Sequence, residues 1–207
     1  NESLSSLKPS LVVLSTPTNT HLHCIKEITK YKCVKFIICE KPLSNNLLEA
    51  KKIVNICKEK KIKLFVNYFR ISEPSSQKLK KIFLKEKNIN GKVYYSRGYF
   101  NNCSHFFNLF EYFFGKFKSG SPTSKPKNYK KNDFSLNFNV KFDGAHIDFI
   151  CKNSRFNQFK FDLNYRNNSI KYRRNGEQIF KINNKNSKVL IKNSMDKYQL
   201  NVYNELS

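Results

Sequence analysis

Two short apolar runs constrain the fold of this chain most: Leu11-Val12-Val13-Leu14 and Phe36-Ile37-Ile38-Cys39. Each ends in polar, turn-forming residues and is followed by apolar residues at helical spacing. After the first run come Ser15-Thr16-Pro17-Thr18-Asn19-Thr20, then Leu22, Ile25 and Ile28. After the second come Glu40-Lys41-Pro42 and the helix-capping type Ser44, then Leu47, Ala50, Val54 and Cys57. Leu64-Phe65-Val66 supplies a third run. Continuous apolar strands of this kind are typical of parallel sheets buried on both faces. Crossovers between parallel strands are right-handed in nearly all cases, so the strands end on one edge. The pattern therefore predicts two strand–helix–strand units over 11–66. It brings Thr16-Pro17 and Glu40-Lys41-Pro42 together, on the edge where open α/β sheets place ligands. Pro42 disfavours helical geometry at Lys41 and keeps it extended.

Composition narrows the function classes. Lys and Arg outnumber Asp and Glu 39 to 15, a formal net charge of +24, which raises a nucleic-acid reading. The lysines are nevertheless spread along the chain, with modest clusters at Lys58–Lys63, Lys78–Lys81 and Lys125–Lys131. Heavy use of Asn and Ile beside Lys, with no Trp, reads as a bias towards AT-rich codons, which raises charge without selecting a partner. A basic nucleic-acid-binding module stays as an alternative; no specific nucleic acid is expected. The six cysteines form no Cys-x-x-Cys pair and most lie in apolar runs, so reduced thiols in a cytoplasmic protein are expected, with no metal site. No stretch approaches the roughly 18 apolar residues of a membrane span. A chain that opens on Asn1 among polar residues reads as a piece of something longer.

A change of character near residues 68–74 predicts a domain boundary. Ser72-Glu73-Pro74 opens a helix over 75–87, and Asn90-Gly91 marks its end before a strand over 92–99. Phe106, Leu109, Phe110 and Phe113 form the apolar stripe of a helix over 101–114, stopped by Gly115. Asn101, His105, Asn108 and Tyr112 fall on another face, and His105 is the group among them that titrates near neutral pH. Residues 119–132 read as a loop. Phe134, Leu136, Phe138, Val140 and Phe142 alternate, Asp143-Gly144 turns the chain, and Ile147, Phe149 and Cys151 return it. Phe159, Phe161, Leu163 and Tyr165 repeat the pattern, and Asn175-Gly176 makes another tight turn. His146 and Asp148 read as a solvated or interface pair. Residues 195–206 suggest a closing helix.

These residues resemble the glucose–fructose oxidoreductase, inositol dehydrogenase and rhizopine-catabolism (Gfo/Idh/MocA) oxidoreductases. The matching pieces are Leu11–Leu14 with Thr16-Pro17-Thr18-Asn19-Thr20-His21, then Glu40-Lys41-Pro42-Leu43-Ser44, then Val66-Asn67-Tyr68-Phe69-Arg70 with Pro74. Asn90-Gly91-Lys92-Val93 and the stretch Arg97 to His105, closing with Gly115, continue the match. The resemblance implies the C-terminal part of a Rossmann parallel sheet over 1–70. An α+β domain with an open antiparallel sheet would follow over 71–207, through which the protein would form a homo-oligomer. It implies NAD or NADP as cofactor and hydride transfer to or from a sugar, inositol or nucleotide-sugar carbon. Lys41 would hydrogen-bond the reacting hydroxyl, with Glu40 near the nicotinamide ribose and Thr16, Pro17 and Asn19 lining the nicotinamide side. His105 would be the acid/base partner, and Asn67, Arg70 and Asn101 would lie near the substrate.

Oxidising an alcohol removes its proton as hydride leaves, which calls for a His, or a Lys, within hydrogen-bond reach. Two departures stand out: Asn101 and Asn108 occupy positions where the family often has Asp, and this leaves room for a non-catalytic binding relative. The resemblance implies that the Gly-x-Gly-x-x-Gly turn precedes Asn1, within roughly 60 to 80 further residues, and that the far end is cut too, so the fragment alone should be inactive.

Overall fold

The computed structural model describes residues 2–130, 133–152, 158–183 and 187–192, together with Leu200 and Val202. The helix expected over 195–206 lies almost wholly outside them. The chain divides into two compact units, Asn1–Tyr68 and Phe69–Ser207.

The first unit runs α1 (Glu2–Leu7), β1 (Leu11–Leu14), a 3-10 turn Thr18–Thr20, α2 (His21–Ile28), β2 (Phe36–Cys39), α3 (Leu47–Glu59) and β3 (Lys63–Val66). Its strands pair in parallel in the order β1-β2-β3, with Leu14 opposite Cys39 and Cys39 opposite Val66. Val12, Leu14, Ile37, Cys39 and Leu64 share the face that packs against Ile25 and Ile28 of α2 and Ile53 and Cys57 of α3. The expectation of strands buried on both faces fails at β1. Leu11 and Val13, on the opposite face, are 41% and 45% exposed, because α2 and α3 lie on the same side of the sheet.

Two details of α3 also differ from expectation. Asn46, not Ser44, caps it: the Asn46 side chain accepts from the N–H groups of Leu48 and Glu49 at 2.8 and 3.2 Å. Ser44 Oγ instead donates to Glu49 Oε2 at 2.6 Å, which ties the turn to the first helical coil. The buried stripe is Ile53 and Cys57, whereas Leu47 and Val54 face outward. Any helix with four scattered aliphatics admits more than one stripe, and the sheet selects among them.

The second unit runs α4 (Pro74–Phe83), β4 (Ile89–Tyr95), a π-helical turn Tyr99–Cys103, α5 (Ser104–Phe114), β5 (Phe117–Pro122), β6 (Lys127–Lys130), β7 (Asp133–Ser135), β8 (Phe138–Phe142) and β9 (Ala145–Cys151). It continues with β10 (Phe159–Tyr165), β11 (Asn168–Arg173), a 3-10 turn Arg174–Gly176, β12 (Gln178–Ile182) and β13 (Ser187–Lys192). Eight strands form one sheet in the order β13-β12-β11-β10-β4-β9-β8-β5. Neighbours are antiparallel except β4 and β9, which run parallel. The apolar stripe of α5 packs on the inner face of this sheet, with Phe106 stacked on Phe159 at 3.7 Å.

Asn90-Gly91 lies inside β4 rather than before it. Gly91 is required there by close approach, since a Cβ would collide with the Asp162 carbonyl and the Leu163 Cα of β10. The stretch expected as a loop over 119–132 contains part of β5 and, in β6, one arm of a hairpin with β7. Every residue of β5 is exposed, so this edge strand carries no alternation by which to be recognised. The single strand expected over 134–142 is broken at Leu136-Asn137. There the Tyr95 hydroxyl donates to the Leu136 carbonyl at 2.6 Å and draws the backbone out of the ladder.

Candidate active site

The first unit builds a polar edge from three turns. Because the three strands end in register, Thr16 follows β1, Glu40-Lys41 follows β2 and Asn67 follows β3 along one edge. Two side-chain contacts tie these turns together. Asn67 Nδ2 donates to Glu40 Oε1 at 2.6 Å, linking the ends of β2 and β3. His21, fully buried at the start of α2, links the other pair. Its Nε2 lies 2.9 Å from the Thr16 carbonyl oxygen and its Nδ1 lies 3.0 Å from that of Leu43. Carbonyls only accept, so the ring nitrogen that carries the proton donates to whichever carbonyl it faces. The Thr20 hydroxyl closes the first turn by donating to the Pro17 carbonyl at 2.7 Å.

Lys41 is half-buried, its peptide bond to Pro42 is cis, and Thr16, Pro17 and Asn19 are exposed along the first turn. Beneath them Cys39 is buried, and its thiol is pushed up to about 12 by desolvation and then by the Glu40 charge, so it is an inert packing group.

The side-chain oxygen of Asn67 is buried and has no hydrogen-bond partner among the described residues. Beside the Glu40 carboxylate it makes a pair of acceptors suited to hydroxyl donors. Two such acceptors are compatible with the hydroxyl groups of a nicotinamide nucleotide's ribose.

The second unit holds the remaining sequence-predicted residues. His105 is 7% exposed near the start of α5, and its ring meets the edges of Phe69 and Phe159 at centroid distances of 5.5 and 6.0 Å. Asn101 is exposed in the π-helical turn, and its Nδ2 donates to the Arg97 carbonyl at 3.2 Å. Asn108, three residues on from His105, has a buried side-chain oxygen without a hydrogen-bond partner among the described residues. Arg70 is buried under the sheet: it donates to the Tyr172 hydroxyl at 2.8 Å and to the Asn175 carbonyl at 2.6 Å, and lies over the Phe159 ring at 3.8 Å. Glu73, 3% exposed beside it, is pushed up to about 7 by burial against the opposing pull of Arg70.

Two participants have no readable signal. Asp133 shapes the entry to α5, accepting the N–H groups of Phe100 and Asn101 at 3.0 and 3.1 Å from more than thirty residues away. His21 stands in the quoted turn, but nothing local says that both its ring nitrogens meet carbonyls.

The described residues contain no group of three His, Cys, Asp or Glu able to hold a metal, and no helix long and apolar enough to cross a membrane. All six cysteines are free thiols.

Comparison with known proteins places this geometry. Residues 1–68 match the oxidoreductase family with an NAD-binding Rossmann fold, Gfo/Idh/MocA. No curated protein sequence matches the chain. Among solved structures, an NADPH-dependent oxidoreductase from Desulfitobacterium hafniense superposes with a TM-score of 0.77 at 15% identity, over 98% of this chain and 71% of its own. UDP-N-acetylglucosamine 3-dehydrogenase from Acidithiobacillus ferrooxidans gives 0.76 at 12% identity, over 98% and 71%. The WlbA dehydrogenase from Bordetella pertussis, solved with NADH and UDP-GlcNAcA, gives 0.69 at 15% identity, over 99% and 66%. At such identities these likenesses speak for the fold. NAD or NADP is the cofactor class that goes with the matched domain. Residues 1–68 match the Gfo/Idh/MocA oxidoreductase family model, and the chain as a whole shares the fold of solved oxidoreductases.

Proposed function

We propose that this chain serves an NAD(P)-dependent oxidoreductase acting on a sugar or sugar derivative, with Lys41 and His105 as its proton-handling groups. The observation that carries the reading is the polar edge of the first unit, where three turns are tied by Glu40–Asn67 and by His21 and a buried acceptor is left for a ligand. NAD(P), when bound, accepts or supplies the hydride. Glu40 and Asn67 hold ribose hydroxyls, and Thr16, Pro17 and Asn19 flank the nicotinamide. Lys41 Nζ donates to the reacting oxygen of the substrate and favours the alkoxide-like charge that develops there. A ring nitrogen of His105, buried and shielded by Phe69 and Phe159, takes or returns the hydroxyl proton. Asn101 contributes a hydrogen-bonding amide to the substrate, and Arg70 positions the wall beneath it.

The reading is supported by the sugar and nucleotide-sugar substrates in the names of structurally similar dehydrogenases. The test is deuterium transfer from 4-deuterated NADH or NADPH, catalysed by the native protein, to a panel of keto-sugars and keto nucleotide-sugars. Stereospecific label in one product is the expected result. Binding of NADH without transfer to any member of the panel would replace the enzyme with a binding relative.

A further inference from the structure

The second unit contains a cavity of about 390 Å³ at the sheet edge where the parallel strands β4 and β9 end side by side. Arg97 follows β4, Lys152 follows β9, and Lys125 and Lys127 come from the segment between β5 and β7. Among the described residues these four cations face a cavity with no carboxylate in its lining; its other polar side chains are amides, hydroxyls and the Cys151 thiol. Among the described residues none of the four has an ion-pair partner.

A second concavity of the same unit, about 250 Å³, mixes Lys92 and His146 with Asp148 and Asp162. Asp133, the carboxylate nearest the basic cavity in sequence, has its oxygens taken by the backbone N–H groups of Phe100, Asn101 and Phe134.

The walls are held in place. Asn137 N–H donates to Ser124 Oγ at 2.8 Å, and Cys151 N–H donates to the Asn137 side-chain oxygen at 2.8 Å. Arg97 (φ 62) and Gly98 (φ 88) both take positive φ, and the amide of Asn101 donates to the Arg97 carbonyl at 3.2 Å. A fixed concave site with several donors and four cations matches a compact polyanion. An extended nucleic-acid strand needs an open groove with stacking surfaces instead.

We propose that this cavity binds a diphosphate group, as carried by a nucleoside diphosphate or its sugar ester. Its service as a substrate subsite rests on the oxidoreductase reading above; diphosphate binding itself does not. Four phosphoryl-oxygen contacts of the kind made by Arg97 and the three lysines would orient the anionic end of a nucleotide-sugar.

The experiment is calorimetric titration of the native protein at physiological salt with inorganic pyrophosphate, UDP, uridine and N-acetylglucosamine as separate arms. Pyrophosphate and UDP are expected to bind, and uridine and N-acetylglucosamine are not. UDP binding clearly tighter than pyrophosphate assigns the site to a nucleotide; equal affinities assign it to the diphosphate alone. The double variant Lys125→Glu, Lys127→Glu should weaken both by about tenfold or more, since each exposed charge-assisted contact is lost and reversed. A control with the same charge change on α3, Lys51→Glu with Lys52→Glu, should weaken them less than about twofold. Lys125→Gln with Lys127→Gln should show an intermediate loss, so the result does not hang on one pair of variants folding. Equal weakening by site and control variants would overturn the proposal, as would displacement of UDP by any oligonucleotide at the same salt. Hydride transfer to a free keto-sugar without pyrophosphate binding would remove this subsite and leave the oxidoreductase reading standing. Pyrophosphate binding without hydride transfer to any substrate would do the reverse.

Discussion

The two units hold their polar groups by different means. In the first, the polar groups sit in turns that directly follow short strands, and what holds them is local: Glu40 and Asn67 at neighbouring strand ends, His21 between two such turns. In the second, the polar groups sit on a helix and under an aromatic core, and what holds them is distant. Arg70 meets Tyr172 and Asn175 across more than a hundred residues. The difference teaches that a parallel sheet places chemistry by register, whereas an antiparallel sheet over a helix places it by tertiary packing.

The largest expected effects test the proton-handling residue proposed in each unit. His105→Ala in the native protein should lower turnover by about 10² to 10⁴ with cofactor binding retained, the usual worth of one positioned proton-transfer group. Lys41→Met should lose most turnover and melt within a few degrees of wild type, and Lys41→Arg should not rescue it, because a flat, longer donor does not replace a point charge. Steady-state kinetics beside cofactor titration checks both. Lys41→Met that keeps more than about a tenth of wild-type turnover, a barrier change under about 1.4 kcal/mol, would make Lys41 a bystander and overturn the catalytic reading.

Next in size is the distant anchoring of the second unit. Arg70→Met removes the donors to the Tyr172 hydroxyl and the Asn175 carbonyl while Glu73 takes up a proton, a loss of about 1–3 kcal/mol. Urea unfolding measures it. A loss below about 1 kcal/mol would mean that packing alone holds this wall.

Glu73 sharpens the same point through pH. Burial raises its folded-state pKa to about 7 from an ordinary 4.5. The folded state therefore binds the proton more tightly than the unfolded chain. The stability gained from protonation is present in full below about 4.5 and lost as pH rises through about 7. Glu73→Gln does not titrate, so the stability of wild type relative to the variant should fall by about 3 kcal/mol between pH 4.5 and 8. Paired unfolding curves at the two pH values check this, and a difference that does not change with pH would place Glu73 in contact with water.

The same contrast explains what could be read from the residues beforehand. The turns at Thr16 and Glu40-Lys41 were legible because each follows an uninterrupted apolar run, and run plus turn fixes the edge without knowledge of the rest. The α5 stripe was legible for a similar reason, as four aromatic and aliphatic positions at helical spacing define one face. The fully exposed β5 was not, since nothing in Phe117–Pro122 alternates and only pairing with β8 makes it a strand. Gly91 misled because glycine between polar residues reads as a turn, while here it admits the β10 backbone at close range. Asp133 and Arg70 draw their meaning from partners that no local window contains.

The smallest expected effect bears on the first unit and decides whether its edge is organised by buried hydrogen bonds at all. His21 is fully buried, so His21→Leu keeps an apolar body of similar size and removes both ring nitrogens. The carbonyls of Thr16 and Leu43 would then lose the ring as a hydrogen-bond donor, and a lost hydrogen bond of this kind costs about 0.5–1.5 kcal/mol. His21→Gln restores an N–H donor on a side chain of comparable reach and should recover part of the loss, which a purely volumetric role would not produce. The two variants should therefore rank wild type, Gln, Leu in unfolding free energy. Because Leu43 lies two residues beyond Lys41, the Leu variant should also lower kcat more than it raises KM, the signature of a misplaced donor rather than a lost binding contact. Equal melting of wild type and His21→Leu would show that the turns keep their places without the histidine. Register alone would then hold the first unit's edge, which would widen the contrast with the anchored wall of the second.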